Sequence, residues 1–236
     1  MNARMLTCAA RGSHFSERAR TDSTKLRRHS TIRTLSITLQ QESAASLADY
    51  ASVSIAFEVR QVLDVAPSAE DPTRFVLTER MVERWMKDYD VHGDGPLDWP
   101  SRFDLSAWAF FLAREGGRPV GAAACVFHAP DVAMLRGQND VALLWDIRVA
   151  PEARGRGIGH RLLEKIERWA TDRGARWLEV ETQDINVPAC RFYERHGFEL
   201  RYVNPAAYPE LPAETQLLWY KPLTERATER RSSRSA

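Results

Sequence analysis

The chain has 236 residues, 44% of them apolar and 28% charged, with a formal net charge of +1 at pH 7. This is the balance of an ordinary soluble globular protein, and it gives no global reason to expect nucleic acid or a membrane as partner. No apolar run approaches the ~20 residues that span a bilayer.

In chain order, the opening stretch stands apart. Arg4, Arg11, Arg18, Arg20, Lys25, Arg27, Arg28 and Arg33 face only Glu17 and Asp22 up to residue 40, with Ser and Thr between. Residues 1–45 therefore read as a basic extension. A disordered tail, a transit-type targeting segment and a start codon set too far upstream all stay open. The folded domain is expected over residues 53–223, and the polar residues 224–236 as a tail. Val53–Val62 reads as the first strand. Thr78–Tyr89 reads as a helix with Met81, Val82, Trp85 and Tyr89 on its inner side. Residues 91–100 are turn-rich and acidic. Trp108–Ala113 and Pro119–His128 flank Glu115-Gly-Gly-Arg118, a hairpin signal.

Val141–Val149 is an apolar strand. It runs into Ala150-Pro-Glu-Ala-Arg-Gly-Arg-Gly-Ile-Gly159. Ile158, Leu162, Leu163, Ile166, Trp169 and Ala170 then fall on one face at helical spacing, and Gly174 suits the helix stop. Arg176–Thr182 reads as the next strand, so the unit is a right-handed crossover. A second helix runs from Pro188 to Gly197. The proline-broken stretch Asn204–Pro212 follows, and Gln216–Lys221 closes the sheet.

The glycine turn has the chemistry of an anion site. Glycines let the backbone bend and come close to a ligand. The free N–H groups at a helix start point at that ligand, and the helix dipole favours negative charge there. A P-loop needs Lys-Ser/Thr after its last glycine, whereas His160-Arg161 follows Gly159. A dinucleotide fingerprint needs a glycine where His160 or Leu162 stands. What remains is Arg154-x-x-Gly157-x-Gly159, which taken alone is also readable as a plain turn with surface arginines. Tyr193, among the apolar neighbours Ala189 and Phe192, is by itself readable as a core tyrosine.

Taken together, Arg154-x-x-Gly157-x-Gly159, a helix, a strand and Asn186-x-x-Ala189-x-x-Phe192-Tyr193-x-x-x-Gly197-Phe198 resemble the GCN5-related N-acetyltransferase (GNAT) superfamily. Phe57–Val65, Glu181–Cys190 and Glu214–Tyr220 look like streptothricin acetyltransferases within it. The resemblance implies an α/β (α+β) fold: a mixed, mostly antiparallel sheet of six or seven strands flanked by helices, with a splayed strand pair as the acetyl-CoA cleft. It implies that the backbone of Ile147, Arg148 and Val149 pairs with the pantetheine arm. Arg154, Gly155, Arg156, Gly157, Ile158 and Gly159 would meet the pyrophosphate, and Asn186 and Ala189 would lie by the thioester end. Tyr193 would protonate the departing thiolate.

The attacking amine must be neutral, so a nearby carboxylate attracts the ammonium and takes its proton. Asp146 is the first candidate and Glu181 the second. Strand alternation sets Asp146 and Trp145 on opposite faces, but a bulge in this strand is usual in the superfamily and shifts the parity. The region between the first strands would help form the acceptor pocket, with Asp88, Asp90, Asp94 and Asp98 attracting a cation. The expected partner is a small cationic amine, and the resemblance implies a streptothricin-type acceptor. Protein, peptide and polyamine acceptors stay open, as do a regulatory acyl-CoA-binding module without turnover and a homodimer. The histidines show no metal-ligand spacing, so no metal is expected. Cys8, Cys125 and Cys190 read as reduced thiols of a cytoplasmic protein.

Overall fold

A computed structural model describes residues 36–91 and 95–223. Among the described residues nine strands are set in two sheets: β1 (Ile37–Glu42), β2 (Phe57–Pro67), β3 (Phe75–Lys87), β4 (Trp108–Glu115), β5 (Arg118–Val126), β6 (Val141–Val149), β7 (Trp177–Gln183), β8 (Glu199–Asn204) and β9 (Gln216–Pro222). The helices are α1 (Leu47–Ala51), α2 (Trp99–Arg102), α3 (Ile158–Thr171) and α4 (Val187–Arg195). Seven strands form the main sheet in the order β1-β4-β5-β6-β7-β9-β8, and β2 and β3 form a separate ribbon. Only the β6–β7 pair is parallel. This is the mixed, mostly antiparallel sheet expected.

Strands β4 and β5 carry much of the buried core. Trp108-Ala-Phe-Phe-Leu-Ala113 is buried throughout, because both faces of this strand are covered. Tyr50 of α1 meets Phe110 and Trp99 on one face. On the other face α3 lies over the small residues of β5. A Cβ on Gly121 would stand 2.7 Å from Ile158 Cγ2, so glycine there sets how closely the helix approaches. The six apolar residues read from periodicity as the inner face of α3 are all buried. Ile158 is one of them, so the residue that opens the helix is also part of the core.

Three expectations are corrected. First, the fold does not begin at Val53. Residues 37–42, expected within the extension, are an edge strand paired with β4 from Ile37↔Glu115 to Glu42↔Phe110. Residues 47–51 then form α1, with Leu47 and Tyr50 buried. Compositional bias masked a six-residue strand in which only Ile37 and Leu39 are apolar and pack on the core.

Second, Thr78–Tyr89 is not a helix. Residues 75–87 are β3, paired with β2 from Phe57↔Lys87 to Pro67↔Phe75. The register jumps from Val59↔Trp85 to Gln61↔Met81, so three residues of β3 oppose one of β2. This bulge breaks the period-two pattern, and the Met, Glu, Arg and Lys content then mimics a helix. Partner pairing overrides local propensity. Met81 and Trp85, expected inward, are 68% and 40% exposed.

Third, β2 is not the first strand of the main sheet. Its ribbon stands beside the start of α4: Leu63 N–H donates to the Asp184 carbonyl at 3.0 Å. Arg191 of α4 pairs with Glu79 at 2.8 Å. Strand β8 is the sheet edge beyond β9, a position for which periodicity gave no sign.

Candidate active site

Strands β6 and β7 pair from Val141↔Trp177 to Leu144↔Val180 and no further, although β6 continues to Val149 and β7 to Gln183. The two strands splay where pairing stops. A cleft of about 770 Å³ opens at that point, with Ile147, Arg148, Val149, Arg154, Gly159, Asn186, Ala189 and Tyr193 along its wall. Asp146 and Glu181 also line it. The ribbon covers one side with Phe57, Glu58 and Arg60, joined by Tyr89.

The splay leaves the backbone of β6 past Leu144 without a β7 partner, while β5 stays paired on its other edge as far as Val149↔Gly121. An extended ligand can add itself to that edge. At the mouth, Gly155 and Gly157 take φ of 75° and 76°, left-handed values that favour glycine. The first backbone bond into α3 is Arg161 N–H to the Gly157 carbonyl at 3.1 Å. The amides before it at the helix start are therefore available to an anion. The Gly159 Cα stands close to the Phe192 ring, which an added Cβ would meet at 3.5 Å. These features fit the pantetheine and pyrophosphate of acetyl-CoA.

Not every expected loop residue offers its side chain. Arg154 is turned back to brace the cleft: Nε donates to the Val149 carbonyl at 3.0 Å and Nη2 to the Ala56 carbonyl at 2.9 Å. Arg156 pairs with Glu115 of the β4–β5 hairpin. Gly155, Arg156, Gly157 and Ile158 lie outside the cleft wall, so the amides of this turn are what they have to offer.

Ala124 opposes Asp146 and Cys125 opposes Leu144, so Trp145 is an extra residue in β6. That bulge settles the parity. Trp145 abuts Trp99, and Asp146 accepts a hydrogen bond from Tyr50 Oη at 2.7 Å, while Tyr50 itself packs on Trp99. Both side chains thus reach one aromatic layer, where plain alternation sets them apart.

Asp146 is already engaged. Arg148 Nε reaches its Oδ1 at 2.9 Å and Nη2 its Oδ2 at 2.7 Å. The same guanidinium grips Asp90 with Nη1 at 2.7 Å and Nη2 at 3.0 Å, and Nη1 also donates to the Val53 carbonyl. These contacts match the five N–H donors of an arginine in number. Its side chain is 1% exposed. Burial works against the charge, but the Asp146 and Asp90 carboxylates outweigh it and hold the guanidinium pKa above its ordinary value. Asp90, expected to attract substrate, is spent on this ion cluster. Asp94 lies outside the described residues.

Glu181 is held differently. Its Oε1 accepts from Tyr208 Oη and its Oε2 from Gln216 Nε2 at 2.7 Å, both neutral donors. Tyr208 carried no sequence signal, because the stretch around it lacks any period. Gln216 lies in the strand expected to close the sheet.

Asn186 caps α4, its Oδ1 accepting from Ala189 N–H at 3.3 Å. Tyr193, two turns on, is 3% exposed. Among the described residues no group hydrogen-bonds its hydroxyl. Burial, with the Asp146 charge adding to it, holds the Tyr193 phenol well above the ordinary tyrosine range. It is therefore a neutral O–H at neutral pH. Cys190, also in α4, bonds Thr182 at 3.3 Å, and burial pushes its thiol up to about 12, which leaves it unreactive.

A model of the acetyltransferase (GNAT) family matches residues 78–198, a little over half of the chain. A streptothricin acetyltransferase of Escherichia coli is 32% identical over 167 residues, which cover 70% of this chain and 84% of that protein. Streptothricin acetyltransferase A of Bacillus subtilis (strain 168) is 40% identical over 84 residues, 35% of this chain and 49% of that protein. Among solved structures, a Bacillus anthracis (str. Ames) protein described as a candidate streptothricin acetyltransferase, in complex with acetyl coenzyme A, superposes with a TM-score of 0.65 at 22% identity. The match covers 79% of this chain and 99% of that one. A nourseothricin acetyltransferase superposes with a TM-score of 0.63 at 23% identity, over 80% and 99%. These two likenesses speak for the fold. The chain belongs to the GNAT acetyltransferase family. It is an N-acetyltransferase that takes acetyl-CoA as co-substrate.

Proposed function

We propose that the chain acetylates a primary amine of a small cationic molecule, and that this acceptor is a streptothricin-type antibiotic, reacting at its β-lysine amino group. The enzyme would then confer resistance. The observation that carries the catalytic part is Tyr193, a buried neutral phenol in the cleft wall whose hydroxyl has no partner among the described residues. The support for the acceptor is the likeness to the Escherichia coli streptothricin acetyltransferase, of which the match covers 84%.

In this reading Glu181 receives the amine. Its partners are neutral, so its negative charge still attracts an ammonium. Asp146 is locked against Arg148, which it shares with Asp90, and its part is to hold that cluster, its charge adding to the burial that keeps the Tyr193 phenol protonated. Acetyl-CoA supplies the acyl thioester. The ammonium gives its proton to Glu181, directly or through water, and the freed nitrogen lone pair forms the new C–N bond. Tyr193 gives its proton to the sulfur as the C–S bond breaks, and the second proton, shed by the acylated nitrogen, restores the phenol. The backbone edge of Ile147–Val149 and the amides of the glycine turn hold the donor, and much of the rate comes from that alignment.

The test is thiol release by the purified protein with streptothricin. Release above background is expected. Glu181→Gln is expected to raise the KM for streptothricin about tenfold or more, the scale of one charge-assisted hydrogen bond. No turnover of streptothricin while other amines are acetylated removes the antibiotic. An unchanged KM in the variant removes Glu181 from the acceptor site.

A further inference from the structure

Glu179 is a buried carboxylate that the reaction as drawn does not use. It lies two residues before Glu181 on β7, so both point to one face about 7 Å apart. That face lies opposite α3: Lys221 of β9 reaches Glu167 of α3, and its neighbour Tyr220 points the other way. A second hollow of about 640 Å³ opens there, lined in part by Arg136, Gln216 and Tyr220. It adjoins the cleft. Met134 lines both, and Gln216 donates to Glu181, which stands in the cleft wall.

The Glu179 side chain is 1% exposed, and among the described residues its Oε1 has no hydrogen-bond partner. Its Oε2 accepts from Arg136 Nη2 at 2.8 Å, and the Tyr220 phenol beside it also favours the anion. That same nitrogen also donates to Tyr220 Oη at 2.6 Å. Burial, with the Glu181 charge adding to it, pushes the Glu179 carboxyl upward, so its anion is under-compensated. The Arg136 side chain is 44% exposed and can turn to water. A buried carboxylate with a bare oxygen, beside a hollow and under a replaceable cation, is built to receive a positive charge.

We propose that Glu179 is a distal cation subsite of the acceptor site. An acceptor whose reacting amine meets Glu181 sets a second ammonium or guanidinium against Glu179, and Arg136 moves out. The substrate class is then an elongated molecule with two cationic groups. This rests on the reading of Glu181 as the amine-receiving carboxylate.

Calorimetric titration of the protein with diaminobutane and with butylamine tests it, alongside thiol release with the same amines. Wild type is expected to bind the diamine about tenfold or more tightly than the monoamine. Glu179→Gln is expected to bring that ratio close to one. Arg136→Ala, a change at a half-exposed side chain, is expected to tighten diamine binding severalfold by removing the competing internal cation. A ratio kept in Glu179→Gln, or diamine binding unchanged or weakened in Arg136→Ala, overturns the subsite. Turnover without the ratio also overturns the subsite and leaves the amine acetyltransferase reading standing. A Glu179-dependent ratio without turnover of any amine leaves a cation site at Glu179 but overturns the acceptor reading and, with it, the subsite's place in the acceptor site.

Discussion

Tyr193→Phe is expected to lower kcat by about 100-fold or more, the range in which a positioned general acid contributes. Acetyl-CoA affinity should change little. No described group depends on the Tyr193 hydroxyl, so its removal orphans no partner, and the ring contacts with Phe192 and Phe198 remain. The variant should therefore fold like wild type, and the loss can be assigned to the missing proton. The pH dependence has a definite sign. A raised phenol pKa keeps the donor protonated above the pH of about 10 at which free tyrosine ionises. The wild-type rate should not lose this acid as pH rises toward 10. Undiminished turnover in Tyr193→Phe would remove the general-acid role.

Arg148→Met should have the largest effect on stability. The guanidinium is buried between Asp146 and Asp90 and lies 5.3 Å from the Tyr50 ring. Its removal leaves two carboxylates facing each other with no cation and strips the Val53 carbonyl of a donor. Breaking a buried ion pair from one side typically costs about 3–5 kcal/mol. For a chain of this size that lowers Tm by on the order of 10 °C. Thermal unfolding of the two proteins at pH 7 measures it. A loss of a degree or two would mean that the cluster is hydrated rather than buried. The cluster also ties the segment after β3, through Asp90, to the strand that enters the glycine turn, so the same variant should hold the cleft less rigidly.

The segment from β6 to α4 was legible because its local signals agree with one another. The apolar run of β6, the 3.6-residue stripe of α3 and the glycines at 157, 174 and 197 all mark the same boundaries. The β4–β5 hairpin was legible for the same reason. Strand β3 was not, because its bulge removed the alternation that identifies a strand. Strand β1 was hidden inside a basic, serine-rich stretch, and β8 offers six residues with a register break between Leu200 and Tyr202. At the site, the glycine turn was readable as an anion site, while Asn186 and Tyr193 were named only through the family resemblance. The orientation of Asp146 could not, since one extra residue at Trp145 decides it. Tyr50 and Tyr208, which hold the two candidate carboxylates, come from distant parts of the chain, and only the fold brings them there.

The central claim is that acetyl-CoA lies in the splay between β6 and β7, with its pyrophosphate at the start of α3. Amide hydrogen exchange, measured with and without acetyl-CoA, addresses this peptide by peptide. Slower exchange on binding is expected over residues 145–149, where β6 has lost its β7 partner, and over 155–160, where the helix amides are free. Saturating acetyl-CoA that leaves both segments unchanged, or that slows exchange only elsewhere, would contradict the account.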